Sequence, residues 1–75
     1  MPVRSTTYYA TPGTFSITAF ELAYVTILAV KREGTGYNIT TATPGNREVE
    51  YTAGAGKLEF ENEFAAEKVF VLYKY

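Results

Sequence analysis

The stretch Gly54-Ala55-Gly56-Lys57-Leu58-Glu59-Phe60-Glu61 reads as a turn followed by a strand with one wet face, and it decides the fold class. After the glycines, Leu58 and Phe60 point one way while Lys57, Glu59 and Glu61 point the other. That period of two belongs to a half-buried strand. Similar breaks recur at Pro12-Gly13, Gly34-Thr35-Gly36 and Pro44-Gly45-Asn46, at intervals that suit short strands joined by turns. Threonine, tyrosine, valine and phenylalanine are abundant, and such β-branched and aromatic side chains favour a pleated surface.

Strands are therefore expected near Thr6–Ala10, Thr14–Thr18, Tyr24–Arg32, Tyr37–Thr41, Glu48–Thr52, Lys57–Glu61 and Lys68–Lys74. The fold class is all-β: a small antiparallel β-sandwich or barrel of about seven short strands. Tyr24–Arg32 and Lys68–Lys74 carry apolar side chains on both faces, which makes the former a candidate for a central strand and places the latter inside the sheet or against a neighbour. Ile27, Leu28, Phe60, Val69 and Val71 are the expected core, each contributing on the order of 1.5–3 kcal/mol when buried. Ala19–Ala23 has room for one helical turn but lacks helical spacing, and is read as a loop.

Residues 1–11 lack a core pattern and read either as a flexible N-terminal arm that orders on a neighbour or as a frayed terminus. Residues 12–75 then form a single β domain. At 75 residues the core is modest, so support is expected from disulfides, a structural metal or a partner subunit. The chain has no cysteine, no histidine and no aspartate, its eight acids all being glutamate. That excludes disulfides and strips a zinc site of its usual ligands, which leaves assembly.

The formal net charge is -1, and Arg4, Lys31, Arg32, Arg47, Lys57, Lys68 and Lys74 are scattered, so neither a nucleic acid nor an anionic membrane is the expected partner. Ser5, Thr6 and Thr7 stand where the apolar part of a signal peptide would begin. The longest apolar-rich stretch, Tyr24–Val30, falls well short of the roughly 20 residues that span a bilayer. The expectation is a soluble chain with no classical signal or transmembrane segment.

The residue inventory argues against an enzyme. Without histidine the commonest general base is missing, and neither Ser5 nor Ser16 lies in a nucleophile elbow. Glu48 with Glu50, or Glu59 with Glu61 and Glu63, share a strand face as a glycosidase pair would, and the Glu59, Glu61 and Glu63 row could also coordinate calcium. An acidic solvated face is the simpler reading, and the calcium-loop grammar is absent. The segments Gly34-Thr35-Gly36-Tyr37-Asn38-Ile39 and Gly54-Ala55-Gly56-Lys57-Leu58 lack the spacing of phosphate-binding loops and read as turns. No catalytic, metal or cofactor residue is assigned, and no cofactor is expected.

Seven tyrosines are many for this length, and tyrosine combines apolar area with a polar tip suited to interfaces. Tyr8, Tyr9, Tyr37, Tyr51, Tyr73 and Tyr75 are the candidate interface residues, with filling of the sheet as the alternative role.

Three segments carry a family resemblance. They are Gly56-Lys57-Leu58-Glu59-Phe60 with Phe64 and Glu67-Lys68-Val69-Phe70-Val71-Leu72-Tyr73-Lys74, then Val30-Lys31-Arg32-Glu33-Gly34, and Pro44-Gly45-Asn46-Arg47-Glu48-Val49-Glu50-Tyr51. Residues 30–75 resemble small immunoglobulin-like β modules of tailed-phage virion proteins, as in phages of gut Bacteroidetes. The resemblance implies a non-catalytic component of a capsid, tail or fibre, located in the virion and held by contacts with itself or with larger structural proteins. The expected function is thus structural: assembly through protein–protein contacts, with self-association into a homo-oligomer. The alternative is a carbohydrate-binding or adhesive module that stacks glycans on the same tyrosines, with Asn38, Asn46 and Asn62 as polar contacts.

Overall fold

A computed structural model describes residues 2–75. Its elements are β1 (Val3–Tyr9), β2 (Ser16–Thr18), a 3-10 turn (Phe20–Leu22), β3 (Thr26–Arg32), β4 (Thr35–Thr40), β5 (Glu48–Thr52), a second 3-10 turn (Ala53–Ala55), β6 (Lys57–Phe60) and β7 (Lys68–Lys74). The chain is all-β, its seven strands ordered β1-β7-β3-β4-β5-β6-β2 in one sheet.

The two edge strands, β1 and β2, are consecutive in sequence. Seven flat strands would hold them roughly 29 Å apart at about 4.8 Å per spacing. The connection from Tyr9 to Ser16 reaches about 25 Å only when fully extended, and it is shortened by a turn in which the Thr14 N–H donates to the Thr11 carbonyl. The sheet therefore curls into a nearly closed barrel. Backbone bonds from Gly13 N–H to the Phe64 carbonyl (3.0 Å) and from Phe60 N–H to the Phe15 carbonyl (2.7 Å) lash this connection to the far edge.

One pair departs from the antiparallel expectation: β4 and β5 run parallel, Asn38–Thr40 beside Glu48–Glu50. Parallel neighbours normally need a crossover of a dozen residues or more. Here the pairing covers only three residues on each strand, so residues 41–47 suffice to carry the chain back. The other expected features hold: β7 lies between β1 and β3, and β3 lies between β7 and β4. Glu33 and Gly34, both at positive φ, make the tight turn between β3 and β4 that suits the twist of a hairpin.

The core comprises Ala10, Leu22, Val30, Val49, Leu58, Phe60, Phe64, Val69, Val71 and Tyr73. Phe60, Val69 and Val71 are buried as expected. Leu28 is not: it is 44% exposed. It follows Ile27, which faces inward, and a bulge at this point shifts the pairing of β3 with β7 between Ile27 and Ala29. Strict alternation cannot turn both Ile27 and Val30 inward, but one extra residue can. Ile27 then faces Tyr73, Val30 faces Val71 and Arg32 faces Val69, while Leu28 lies outward. Leu22 is fully buried from the 3-10 turn, so the segment read as a loop supplies a core plug.

Gly56 makes that plug fit. It adopts φ +61°, and a Cβ there would lie 2.3 Å from the Ala19 carbonyl oxygen and 3.0 Å from the Ala23 nitrogen. Both neighbours are backbone atoms of the segment that carries Leu22, and Ala19 N–H donates to the Gly56 carbonyl at 3.0 Å. Gly56→Ala is expected to cost about 2 kcal/mol or more, the strain of a left-handed residue plus the clash. The check is a denaturant midpoint that falls while the slope of the transition stays the same.

Candidate assembly surface

Val3–Tyr9, inside the segment read as an arm, is a full strand of the sheet, paired with β7 at every residue from Val3 opposite Lys74 to Tyr9 opposite Lys68. Met1 lies outside the described residues. Two further bonds fix which side of β1 is satisfied: Tyr75 N–H donates to the Pro2 carbonyl at 3.1 Å, and Ala10 N–H donates to the Glu67 carbonyl at 2.9 Å. Hydrogen-bonded pairs alternate along an antiparallel ladder. Arg4, Thr6 and Tyr8 therefore bond to β7, and Val3, Ser5, Thr7 and Tyr9 turn their N–H and C=O groups away from it.

No strand pairs with that outward side of β1 among the described residues. The side chains of Val3, Ser5, Thr7 and Tyr9 are all exposed, so nothing on them covers the edge. The strand spans seven residues and contains no proline, no lysine and no bulge. Lysine and other charged residues, proline and bulges are the usual devices that protect an edge from pairing, and Arg4 is the one that β1 carries. The other edge, β2, is protected by being only three residues long. The seam between the edges is bridged by a side chain: Tyr8 donates its hydroxyl to Glu21 Oε1 at 2.8 Å. Burial first, and then the carboxylate of Glu21, holds the Tyr8 hydroxyl well above its ordinary pKa, so it remains a donor across the working range.

The six candidate tyrosines divide by environment. Tyr73 is 1% exposed and belongs to the core. Half-buried Tyr51 is a brace, its hydroxyl donating to the Leu22 carbonyl and accepting from Val25 N–H at 3.1 Å. Tyr37 stands edge-on to Phe60, with ring centroids 5.2 Å apart. Tyr8 closes the seam. Only Tyr9 and Tyr75 remain at the surface, 78% and 46% exposed. They lie at opposite ends of the β1–β7 ladder, roughly 24 Å apart at about 3.4 Å per residue, and do not form one platform. Phe20 and Tyr24, the most exposed large side chains, were not in that set. They lie two residues to either side of the buried Leu22.

The outer wall beside β1 carries two open depressions of about 260 and 360 Å³ that share Glu33 and Lys68. Tyr9 lines the first, with Lys68 Nζ 5.6 Å from its ring centroid, and Phe70 and Thr7 line the second. No group of three or more His, Cys, Asp or Glu side chains converges among the described residues. No described helix is long and apolar enough to cross a membrane.

The glutamates spread over the sheet. Glu48 accepts from Gly45 N–H at 2.8 Å and shapes the turn before β5. Glu50 stands directly opposite Glu59 across β5 and β6, and Glu59 is met by Lys57 Nζ at 2.9 Å. Like charges directly opposed on a sheet are destabilising. Glu50→Gln is expected to raise stability by about 0.2–1 kcal/mol, and the gain should shrink in 1 M salt, where the Debye length is about 3 Å. Thermal melts at low and high salt check both parts.

The loop from Glu61 to Glu67 is held by Arg32, which is 9% exposed. Its Nε donates to Glu67 Oε1, its Nη1 to the Asn62 carbonyl at 2.8 Å and its Nη2 to the Glu63 carbonyl. The guanidinium lies 4.7 Å from the Phe64 ring centroid and 5.4 Å from that of Phe60. Nothing in the sequence separates this arginine from the scattered surface bases, because the bulge at Leu28 is what turns position 32 inward.

No family model matches the chain, and neither a curated protein nor a solved structure matches it. The fold and its edge define an all-β domain with a strand edge left without a partner strand among the described residues.

Proposed function

We propose that this chain is a non-catalytic structural protein that works by assembling with other protein surfaces, itself included. The observation that carries this reading is the exposed β1 edge: a seven-residue strand, guarded only by the charge of Arg4, on a small domain that has no disulfide to support it. Edge addition satisfies backbone groups that are otherwise left to water, and it extends a modest core into a larger one. A tailed-phage virion is the setting suggested by the resemblance of residues 30–75. The sugar-binding alternative has less support, since Tyr9 and Tyr75, the exposed pair among the six candidate tyrosines, sit at opposite ends of the ladder.

Light scattering after size exclusion, over a range of concentrations, tests the reading. The expected result is a mass above the 8.3 kDa of one chain, rising with concentration. A single-chain mass at millimolar concentration contradicts self-assembly, and a positive glycan screen on that monomer would favour the alternative.

A further inference from the structure

We infer that the occupant of the β1 edge is β1 of a second copy, paired antiparallel about a two-fold axis through Thr6; this rests on the assembly reading above. The free backbone groups dictate the register. Only Val3, Ser5, Thr7 and Tyr9 present unpaired N–H and C=O groups, so hydrogen-bonded pairs must be drawn from these four. Centring the axis on Ser5 leaves Tyr9 unmatched, and centring it on Thr7 leaves Val3 unmatched. Centring it on Thr6 matches Val3 with Tyr9 and Ser5 with Thr7, each twice, and leaves no outward group unused.

The side chains agree with that register. Val3 meets the partner copy's Tyr9, a β-branched residue against an aromatic ring, and Ser5 meets Thr7, hydroxyl against hydroxyl. Both kinds of cross-strand pair are favourable. Arg4, the only charged residue of β1, falls opposite Tyr8 rather than opposite its own copy. An arginine beside a tyrosine ring is a favourable neighbour, and no like charges are opposed. A sequence that fits its own reverse along seven residues is what a two-fold interface requires, since one patch must serve as both partners. The result is a continuous sheet crossing two barrels.

The absence of cysteine makes the register directly readable. Single cysteines placed at Arg4, Ser5, Thr6, Thr7 and Tyr8 are oxidised in a glutathione buffer, and covalent dimer is measured. Thr6→Cys is expected to crosslink fastest, because a non-hydrogen-bonded antiparallel pair on the two-fold brings Cα atoms to about 4.5 Å, within disulfide range. In parallel, Thr7→Pro removes an N–H that β7 does not use, so the fold tolerates it. It should weaken association about tenfold or more, since each dimer loses two hydrogen bonds. Fastest crosslinking at position 5 or 7, or none at any position while the wild-type mass exceeds one chain, would overturn this register and leave the assembly reading standing. A wild-type mass of one chain throughout overturns both.

Discussion

Replacing Arg32 with alanine is expected to lower the unfolding free energy by about 3–5 kcal/mol, the scale on which removal of one member of a buried ion pair is felt. The loss is large because three acceptors go unsatisfied together: the Glu67 carboxylate and the carbonyls of Asn62 and Glu63. The Glu67 side chain is only 10% exposed, so water does not readily replace the guanidinium. In a domain this small each kcal/mol shifts the melting temperature by roughly 4–8 °C, so the melting temperature should fall by more than 10 °C. Arg32→Lys should rescue little, because an ammonium lacks the planar fork that reaches all three acceptors. A lysine variant as stable as the wild type would show that charge alone matters.

The same cluster predicts a pH dependence. Burial by itself would raise the Glu67 carboxyl, but the hydrogen bonds from Arg32 and the Ala65 N–H, together with the arginine's charge, outweigh it and hold the group below the ordinary carboxylate range. A carboxyl depressed in the folded state contributes stability that is fully present above its unfolded pKa, about 4.3. That contribution is lost as the pH falls through the folded value. Wild-type stability should therefore decline below about pH 4, and Glu67→Gln should flatten that limb of the profile. An unchanged acid limb in the variant would remove Glu67 as its source.

Tyr73→Ala is expected to cost about 3–5 kcal/mol, as removal of a buried aromatic ring does. The ring is the largest of the fully buried side chains and faces Ile27 across β3 and Arg4 across β1. Tyr73→Phe should act in the opposite direction. The Tyr73 hydroxyl is buried without a hydrogen-bond partner, and the nearby Arg4 donates from Nη2 to the Tyr75 hydroxyl at 3.2 Å. An unsatisfied buried hydroxyl costs about 1–3 kcal/mol, and phenylalanine keeps the ring while deleting the orphan. A gain of about 1 kcal/mol in equilibrium denaturation is the expected result. A loss on the same scale would reveal a partner for that hydroxyl.

Most of the architecture was legible because strands advertise themselves twice, by turn residues at their ends and by alternation within. Glu48–Thr52 and Lys68–Lys74 form with the boundaries expected, and Lys57–Phe60 differs by one residue. Alternation gives faces only while it stays in phase. A single bulge at Leu28 brought Val30 and Arg32 onto the inner face that Ile27 occupies, and no composition rule marks where a bulge falls. The parallel β4–β5 pair escaped for a related reason: three-residue pairings leave no long crossover to betray them. Tyrosines were the least legible, since Tyr73, Tyr51 and Tyr9 differ in burial through register and tertiary packing rather than through any feature of their own sequence. The β1 edge was half legible. Its β-branched and aromatic residues were plain, but its pairing with β7 placed it at the rim.

The central claim, that β1 is an edge built to be paired, is tested most directly by residue-resolved amide hydrogen exchange at low and high protein concentration. Thr6 and Tyr8, bonded to β7, should be protected at both concentrations, while Val3, Ser5, Thr7 and Tyr9 should exchange freely when dilute and gain protection as the concentration rises. If those four amides exchange freely at every concentration while the sheet around them stays protected, the edge is left to water and the claim is contradicted.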